Sequence, residues 1–297
     1  MPTALMINDN DYSYLYYPDL NDNLIICSLC PHSCKLKTGQ TGFCGVRHNT
    51  GKKIEDCFSA KLSGLAMDPI EKKPLYHFFP GEFILSAGFY GCNFKCPFCQ
   101  NHSISQGAPK NFSSKPQIPV TPSELVKIAL KEKSFAIAYT YSEPLIHFEY
   151  ILESATLARE AGLKNVLVTN GFINALPAAE LLPFIDAANV DLKCYTDEFY
   201  KKEIKGSLDP VKDFIAHAHN KIHLEVTTLV IPGKNDKKEE IESISKFISS
   251  LNPKIPLHLS AYHPAFNYSI PGTNRKTILE LVDIAKQRLE FVYAGNI

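Results

Sequence analysis

The sequence predicts an α/β protein, in which a complete or partial barrel of parallel strands follows a small cysteine-rich N-terminal module. Short apolar runs rich in β-branched and aromatic residues recur beyond residue 80, and helical patterns separate most of them. Strands that alternate with helices pair in parallel. Polar residues follow several of these strands, which favours a barrel because barrels carry their chemistry at the carboxyl ends of strands. The spacing alone does not separate a barrel from an open sheet.

We expect the N-terminal module over residues 1–80 and the barrel over residues 81–297. The runs predicted as strands are residues 83–87, 135–140, 165–169, 188–192, 222–231, 256–260 and 291–293. Thr121 and Glu124 form a predicted capping box at the start of a helix. The last helix is predicted from an amphipathic pattern of four residues, Leu279, Val282, Ile284 and Leu289.

Composition narrows the classes of partner. The 297 residues include 31 Lys plus Arg and 31 Asp plus Glu without a long run of like charge, so no nucleic acid or membrane partner is expected. The longest apolar stretches are too short to span a bilayer, and residues 1–4 lack the basic start of an export signal. We therefore expect a cytoplasmic protein. Nine cysteines, an odd number, argue against a closed set of disulfides.

Three of the cysteines, Cys92, Cys96 and Cys99, lie in a tight loop directly after the first predicted barrel strand. Three thiolates in such a loop can each ligate one iron of a four-iron cluster and leave the fourth iron open. An open coordination position is where a substrate can bind. The alternative is a zinc knuckle, for which His102 could supply the fourth ligand.

The spacing C-x3-C-x2-C, with the aromatic Phe98 before the last cysteine, resembles the signature of the radical S-adenosylmethionine superfamily. This resemblance implies a partial (β/α)6-type barrel and a [4Fe-4S] cluster held by the three cysteines. It also implies that S-adenosylmethionine chelates the open iron, is cleaved reductively to methionine and a 5′-deoxyadenosyl radical, and lies near Phe98.

The predicted strand 135–140 is followed by Ser142, Glu143 and Pro144, which resemble the element of that superfamily that receives the ammonium group of S-adenosylmethionine. Glu143 supplies a carboxylate suited to a cation, while Ser142 stands where the family has a glycine. The alternative is an ordinary helix N-terminus with Ser142 as its cap and Pro144 in the first turn. Both interpretations can hold together.

Later strand ends resemble the pyruvate formate-lyase activating enzyme group within the superfamily. Asn170 belongs to a Thr-Asn-Gly element, and Asp191 and Lys193 belong to an Asp-Leu-Lys element; in that group these elements contact the ribose and the methionyl carboxylate. His263 stands where a family histidine approaches the cofactor. Taken in isolation, Asp191 and Lys193 would be interpreted as a surface ion pair, and His263 as a structural histidine.

The resemblance extends over about residues 24–297, and its amino-terminal segments are similar to one branch of activating-enzyme homologues, named AmmeMemoRadiSam. It includes a second group of cysteines with the spacing C-x2-C-x3-C-x9-C, namely Cys27, Cys30, Cys34 and Cys44. Four thiolates complete either a zinc site or an auxiliary iron–sulfur cluster, and the lack of paired C-x2-C knuckles favours the cluster. Four free or redox-active thiols are the alternative.

The leading hypothesis for function is an enzyme whose adenosyl radical abstracts hydrogen from a substrate, such as a glycine of a partner protein. The resemblance implies a low-potential electron donor such as ferredoxin or flavodoxin. A second hypothesis directs the same radical to a small molecule or a peptide. A third, of another class, is an iron–sulfur electron carrier or metal-binding scaffold. The sequence assigns no residue a catalytic role beyond binding.

Overall fold

The computed structural model describes residues 12–19, 24–107, 109–115 and 117–297. Residues 1–4, on which the expectation about an export signal rests, lie outside these ranges. No helix within the described ranges is long and apolar enough to cross a membrane.

The N-terminal part contains short strands joined by tight turns. Its strands are β1 Tyr16–Asp19, β2 Leu24–Cys27, β3 Lys35–Leu36, β4 Arg47–Asn49, β5 Ile54–Asp56 and β6 Lys61–Leu62. Strands β1, β2 and β3 form one antiparallel sheet, and β4 pairs with β5. Cys27 ends β2, while the other three cysteines of the N-terminal group lie in the following loops. This arrangement brings four thiols from nearby turns toward one another.

One large sheet forms the rest of the core. The remaining strands are β7 Gly64–Pro69, β8 Phe83–Gly88, β9 Ile118–Pro119, β10 Ala136–Thr140, β11 Lys164–Thr169, β12 Ala187–Asp191, β13 His223–Val230, β14 Leu257–Ala261 and β15 Val292–Gly295. The sheet order is β15-β14-β13-β12-β11-β10-β8-β7, and β9 pairs separately with β6. The neighbours from β8 to β15 are parallel, whereas β7 is antiparallel to β8. The protein is therefore an α/β protein with the partial barrel that was predicted.

Each of the predicted barrel strands overlaps one of the parallel strands, and in most of them consecutive buried residues account for the strong sequence signal. Strand β7 was not predicted. Its residues are mostly half-buried, and it lies at the edge of the sheet, so it lacks a continuous apolar run. It precedes residue 80 and yet joins the large sheet; the boundary between the two parts stays a prediction.

Helices cover the sheet and follow most of its strands. They are α1 His102–Ser105, α2 Pro109–Ser113, α3 Pro122–Lys131, α4 Phe148–Glu160, α5 Ala175–Leu181, α6 Asp197–Phe199, α7 Asp209–Ala218, α8 Lys238–Leu251 and α9 Arg275–Ala285. Short 3-10 turns lie at Ser13–Leu15, Ile70–Lys72, Pro144–His147 and Leu182–Phe184, and a π-helical turn at Tyr200–Ile204.

The predicted capping box is confirmed at the start of α3. Thr121 Oγ1 accepts the Glu124 N–H at 3.3 Å, and Glu124 Oε2 accepts the Thr121 N–H at 2.7 Å. The apolar face predicted for α9 was partly wrong, since Leu279 is 42% exposed. The buried face of this helix runs through Ile278, Leu281, Val282 and Ala285.

A loop after β7 spans the two edges of the sheet near the amino ends of its strands. The backbone N–H groups of Tyr76 and His77 donate to the buried carboxylate of Glu225 on β13, at 3.0 and 2.8 Å. The ring of His77 lies 2.6 Å from the hydroxyl of Tyr293 on β15. The loop therefore holds edge strands β7 and β15 together and leaves the carboxyl ends of the strands open.

Candidate active site

A cavity of about 330 Å³ lies at the carboxyl ends of the parallel strands. Its volume falls within the range of small-molecule and cofactor sites. Loops after six strands supply most of its lining, which includes Cys92, Cys96, Phe98, Cys99, Ser142, Glu143, Asn170, Asp191 and Lys193. The sheet thus brings together nearly all of the cluster and S-adenosylmethionine residues that the sequence predicted.

The cysteine loop contributes three thiols to this cavity. The Phe94 N–H donates to Cys92 Sγ at 3.3 Å, and Cys99 Sγ lies 3.1 Å from Ser105 Oγ. His102, considered as a zinc ligand, instead has Nδ1 3.2 Å from the carbonyl of Cys99 and stacks on Phe266.

The spacing of the cysteine thiols differs from that of a site for a single metal ion. In the described part of the chain, no three His, Cys, Asp or Glu side chains are grouped to hold one metal ion. The thiolates of a four-iron cluster bind different irons and stand apart, so this grouping is not the one that a cluster requires.

Glu143 lines the cavity and is 1% exposed. Its carboxylate accepts the Thr169 hydroxyl at 2.5 Å, the Asn170 N–H at 2.8 Å and the Leu145 N–H at 3.0 Å. Burial raises the pKa of Glu143 to about 7, although these hydrogen bonds act to lower it, and the charge of Asp191 adds to the increase. The site therefore holds a carboxyl group that a cationic ligand would ionise.

Asn170 connects this carboxylate with the cysteine loop. Its side-chain amide donates to Asn93 Oδ1 at 2.9 Å and lies 3.8 Å from Cys92 Sγ. The Asn93 amide in turn donates to the carbonyl of Phe172 at 2.7 Å. The end of β11 is thereby fixed against the cysteine loop.

Asp191 and Lys193 form an ion pair at the mouth of β12, with 2.9 Å between Asp191 Oδ2 and Lys193 Nζ. Burial by itself would lower the pKa of Lys193, but the charges of Asp191 and Cys96 raise it, so the ammonium stays charged. The cavity therefore offers a fixed cation on one side and the Glu143 carboxyl on another, as an amino-acid group requires.

The sequence also predicted contacts of S-adenosylmethionine with Phe98, Ser142 and His263, and these residues differ in how they lie relative to the cavity. The ring of Phe98 is buried and packs against Phe199 and Tyr268 beside the cavity. Ser142 lines the cavity, and its shielded hydroxyl has no hydrogen-bond partner in the described residues. His263 is exposed and lies outside the lining, with Nε2 3.2 Å from the carbonyl of Asn296. Its role toward a cofactor stays a prediction.

Sequence reasoning missed Lys73, which reaches the cavity from the segment after β7. Its buried ammonium pairs with Asp68 at 2.7 Å, and Asp68 also accepts the hydroxyls of Ser86 and Tyr141, at 2.9 and 2.5 Å. Tyr141 has a φ of 71°, a strained backbone conformation for this residue type. In the sequence, Lys73 stands in the segment Asp-Pro-Ile-Glu-Lys-Lys-Pro at residues 68–74, which does not indicate where the side chain of Lys73 points.

Thr227 on β13 was also missed, because it stands inside an apolar strand. It is 8% exposed and lines the cavity, and its hydroxyl has no hydrogen-bond partner among the residues that the structure describes. Buried polar groups are normally paired. The unpartnered hydroxyls of Thr227 and Ser142 therefore fit a polar ligand in the cavity.

The second cysteine group lines a separate, smaller cavity. Cys27, Cys30, Cys34 and Cys44 meet there beside Leu29, His32, Gly42, Arg47 and Ile146. The two remaining cysteines line neither cavity: Cys57 Sγ donates to the carbonyl of Val46 at 3.0 Å, and Cys194 Sγ to the carboxylate of Glu240 at 2.9 Å.

The family model described as the radical SAM superfamily matches residues 88–248. This is more than half of the chain, and the protein belongs to that superfamily. An uncharacterised protein of Methanocaldococcus jannaschii is 38% identical over 287 residues, which cover 95% of this chain and 84% of the relative.

The chain is also similar to two proteins whose names indicate a function. A protein of the same organism that is named as a glycyl-radical enzyme activating enzyme is 28% identical over 226 residues, covering 70% of this chain and 87% of the relative. The crystal structure of QueE from Escherichia coli has a TM-score of 0.51 at 12% identity, covering 80% of this chain and 94% of QueE. The similarity to QueE is one of fold alone.

Membership of the superfamily implies a [4Fe-4S] cluster and S-adenosylmethionine. The observed residues fit both groups, since three thiols face the cavity that also contains a buried carboxyl, a lysine ammonium and two unpartnered hydroxyls.

Proposed function

We propose that this protein is a radical enzyme that cleaves S-adenosylmethionine reductively and uses the resulting 5′-deoxyadenosyl radical to abstract hydrogen from a substrate. The observation that carries the proposal is that the Cys92, Cys96 and Cys99 thiols share one cavity with the Glu143 carboxyl and the Asp191–Lys193 pair. The bound cluster supplies the electron and the open iron for this chemistry. The chain supplies the contacts that bind and orient the cofactor.

Each contact has a chemical role in this proposal. The carboxylate of Glu143 receives the ammonium of the methionyl group, and binding of that cation ionises the buried acid. Lys193 neutralises the methionyl carboxylate, while Asp191 orients Lys193 and can accept from a ribose hydroxyl. Asn170 holds the end of β11 beside the cysteine loop, and Phe98 packs along the wall of the cavity.

The substrate proposed is a glycine of a partner protein, from which the radical takes a hydrogen atom at Cα. The name of the activating-enzyme relative supports this class. The electron comes from a low-potential donor such as ferredoxin or flavodoxin, and the reducing cytoplasm is the compartment that suits exposed cluster chemistry. The equal numbers of acidic and basic residues favour a protein over a nucleic acid as partner.

The alternative of an electron carrier or metal scaffold is tested by spectroscopy. S-adenosylmethionine added to the reduced, reconstituted protein is expected to change the electron paramagnetic resonance signal of the cluster. Glu143→Gln should weaken this response, because an amide cannot neutralise the ammonium. A spectrum that S-adenosylmethionine leaves unchanged would favour the carrier.

The proposed substrate, a glycine of a partner protein, is tested by isotope transfer. A candidate partner labelled with deuterium at glycine Cα is incubated with the reconstituted enzyme, and 5′-deoxyadenosine is examined for the label. Deuterium in the product supports a protein glycine as target. Abundant unlabelled 5′-deoxyadenosine, with a small molecule consumed in parallel, would overturn the glycine assignment and leave the radical chemistry intact.

A further inference from the structure

The four cysteines of the N-terminal group differ from the two isolated cysteines in their hydrogen bonds. Backbone N–H groups donate to all four: that of Leu29 to Cys27, of His32 to Cys30, of Phe43 to Cys34, and of Val46 and Arg47 to Cys44. Cys57 and Cys194 also accept a backbone N–H, but each in addition donates its own S–H group, to the carbonyl of Val46 and to the carboxylate of Glu240. A sulfur that accepts N–H groups is suited to carry negative charge, as a metal ligand does.

Arg47 places a cation beside these sulfurs. The side chain is 2% exposed, and its two terminal nitrogens donate to the carboxylate of Glu149 at 2.5 and 2.8 Å. Its Nε is buried and has no well-formed hydrogen bond in the described part of the chain, while the guanidinium lines the cysteine cavity and interacts with Cys27 through its charge and a hydrogen bond. A poorly paired buried N–H is costly, and a negatively charged sulfur in this cavity is an acceptor that would satisfy it.

The N-terminal cysteines also lie directly against the cysteine loop of the active site. The Cys92 N–H donates to the carbonyl of Cys44 at 3.2 Å, and His32 Nε2 lies 2.7 Å from the carbonyl of Asn93. A group held by the N-terminal cysteines is therefore separated from the active-site cluster by very little backbone. This position suits a one-electron carrier, whereas a zinc ion has no redox chemistry.

We propose that Cys27, Cys30, Cys34 and Cys44 hold a second iron–sulfur cluster, and that Arg47 Nε–H donates a hydrogen bond to it. Four thiolates complete the ligand set of a four-iron cluster, so this cluster has no open iron and serves electron transfer. The positive charge of Arg47 stabilises the reduced, more negative state and raises the reduction potential. Glu149 fixes the guanidinium and offsets part of its charge.

The first experiment isolates the second site from the first. In the triple variant Cys92→Ala, Cys96→Ala, Cys99→Ala, anaerobic reconstitution with iron and sulfide is expected to give up to four irons and four sulfides per chain, with an absorption that bleaches on reduction. Adding Cys30→Ala and Cys34→Ala should abolish this binding, whereas adding Cys57→Ala should not. Because the triple variant cannot cleave S-adenosylmethionine, the result is independent of the proposed function.

Three outcomes would overturn the assignment of the second cluster. One is a triple variant, purified or reconstituted with both metals present, that binds one zinc ion and no iron. Another is iron and sulfide that stay bound after Cys30→Ala and Cys34→Ala. A chain that takes up neither metal while remaining folded would likewise contradict a metal site.

The role of Arg47 is tested by the reduction potential of the second cluster, measured in the same triple variant at equal iron content. Arg47→Gln is expected to shift the potential to more negative values, and Glu149→Gln to more positive values. Arg47→Lys keeps the positive charge but lacks the Nε–H donor, so it should shift the reduction potential less far in the negative direction. This variant replaces Arg47→Gln in the test if Arg47→Gln does not fold. The exposed Arg159 provides the control Arg159→Gln. Unchanged potentials would show that Arg47 is only structural.

Discussion

The backbone N–H of Cys92 donates to the carbonyl oxygen of Cys44 across 3.2 Å, and this contact joins the two cysteine groups of the protein. The chain can approach so closely because residue 91 is a glycine with a φ of +80°. A Cβ at this position would lie 2.5 Å from Val46 Cγ2 and 2.6 Å from the Cys44 carbonyl oxygen. Gly91 thus couples the geometry of one cysteine group to that of the other.

Gly91→Ala is therefore expected to lower the free energy of unfolding by more than about 2 kcal/mol, from left-handed backbone strain plus steric overlap. Iron content should fall with it. The matched control is Gly162→Ala, where φ is also +80° and no atom lies within 4 Å of the added Cβ. Denaturant titration of both variants checks the difference; equal losses would show that the close approach at Gly91 has no energetic consequence.

The buried carboxyl of Glu143 predicts a dependence of stability on pH in the cluster-free protein. Its folded pKa of about 7 lies above the ordinary value of 4.5, so the folded state favours the protonated form. The stabilisation is complete below pH 4.5 and is lost as pH rises through 7, by about 3 kcal/mol. Measurements of the free energy of unfolding from pH 4.5 to 8 check this. In Glu143→Gln, the part of the decrease that comes from Glu143 should be absent. A wild-type protein that gains stability relative to Glu143→Gln over this range would contradict it.

Lys193→Met is expected to raise the Kd for S-adenosylmethionine at least tenfold, about 1.4 kcal/mol, because the cofactor carboxylate loses its fixed cation. Equilibrium binding to the anaerobically reconstituted protein measures the change. Lys202→Met removes an exposed lysine that pairs with Glu198 and serves as the control. Equal affinities of the wild type and Lys193→Met would exclude Lys193 from the binding site.

Glu225 predicts the opposite pH behaviour to Glu143. Burial alone would raise its pKa, but hydrogen bonds from His223, His258 and the backbone of Tyr76 and His77 lower it to about 2. Its stabilisation is present above pH 4.5 and is lost as pH falls toward 2.

Glu225→Gln should accordingly lower the free energy of unfolding by about 2 to 3 kcal/mol at pH 7. The difference in this free energy between the variant and the wild type should become smaller below pH 4.5. Denaturant unfolding between pH 3 and 7 gives the values. Glu242→Gln, which changes a partly exposed surface carboxylate, is the control. A gap that is constant with pH would mean that the network does not depend on the charge of Glu225.

The parallel strands could be predicted because burial on both faces of a sheet selects continuous apolar runs. The edge strand β7 could not, since its mostly half-buried residues include Asp68 and form no run rich in β-branched and aromatic residues, unlike the run at 291–293 that predicted the other edge strand, β15. Leu279 was misassigned because the helical pattern fits two adjacent faces, and only packing decides which is buried.

The candidate-site residues at strand ends were predicted from short motifs, and they share one cavity because parallel strands bring their carboxyl ends together. Lys73 reaches the cavity through a connecting segment, and Thr227 is hidden inside a strand, so neither has a local pattern that reveals it. No local pattern indicates the role proposed for Arg47 either, because that role depends on the pairing with Glu149, which is distant in sequence.

The central claim is that the cysteine loop supports reductive cleavage of S-adenosylmethionine. The most direct measurement is the yield of 5′-deoxyadenosine after anaerobic reconstitution, addition of dithionite and S-adenosylmethionine, for the wild type, Cys96→Ala and the control Cys57→Ala. We predict 5′-deoxyadenosine well above background for the wild type and for Cys57→Ala, and none for Cys96→Ala. A wild-type yield at background, or an unchanged yield in Cys96→Ala, would contradict the claim.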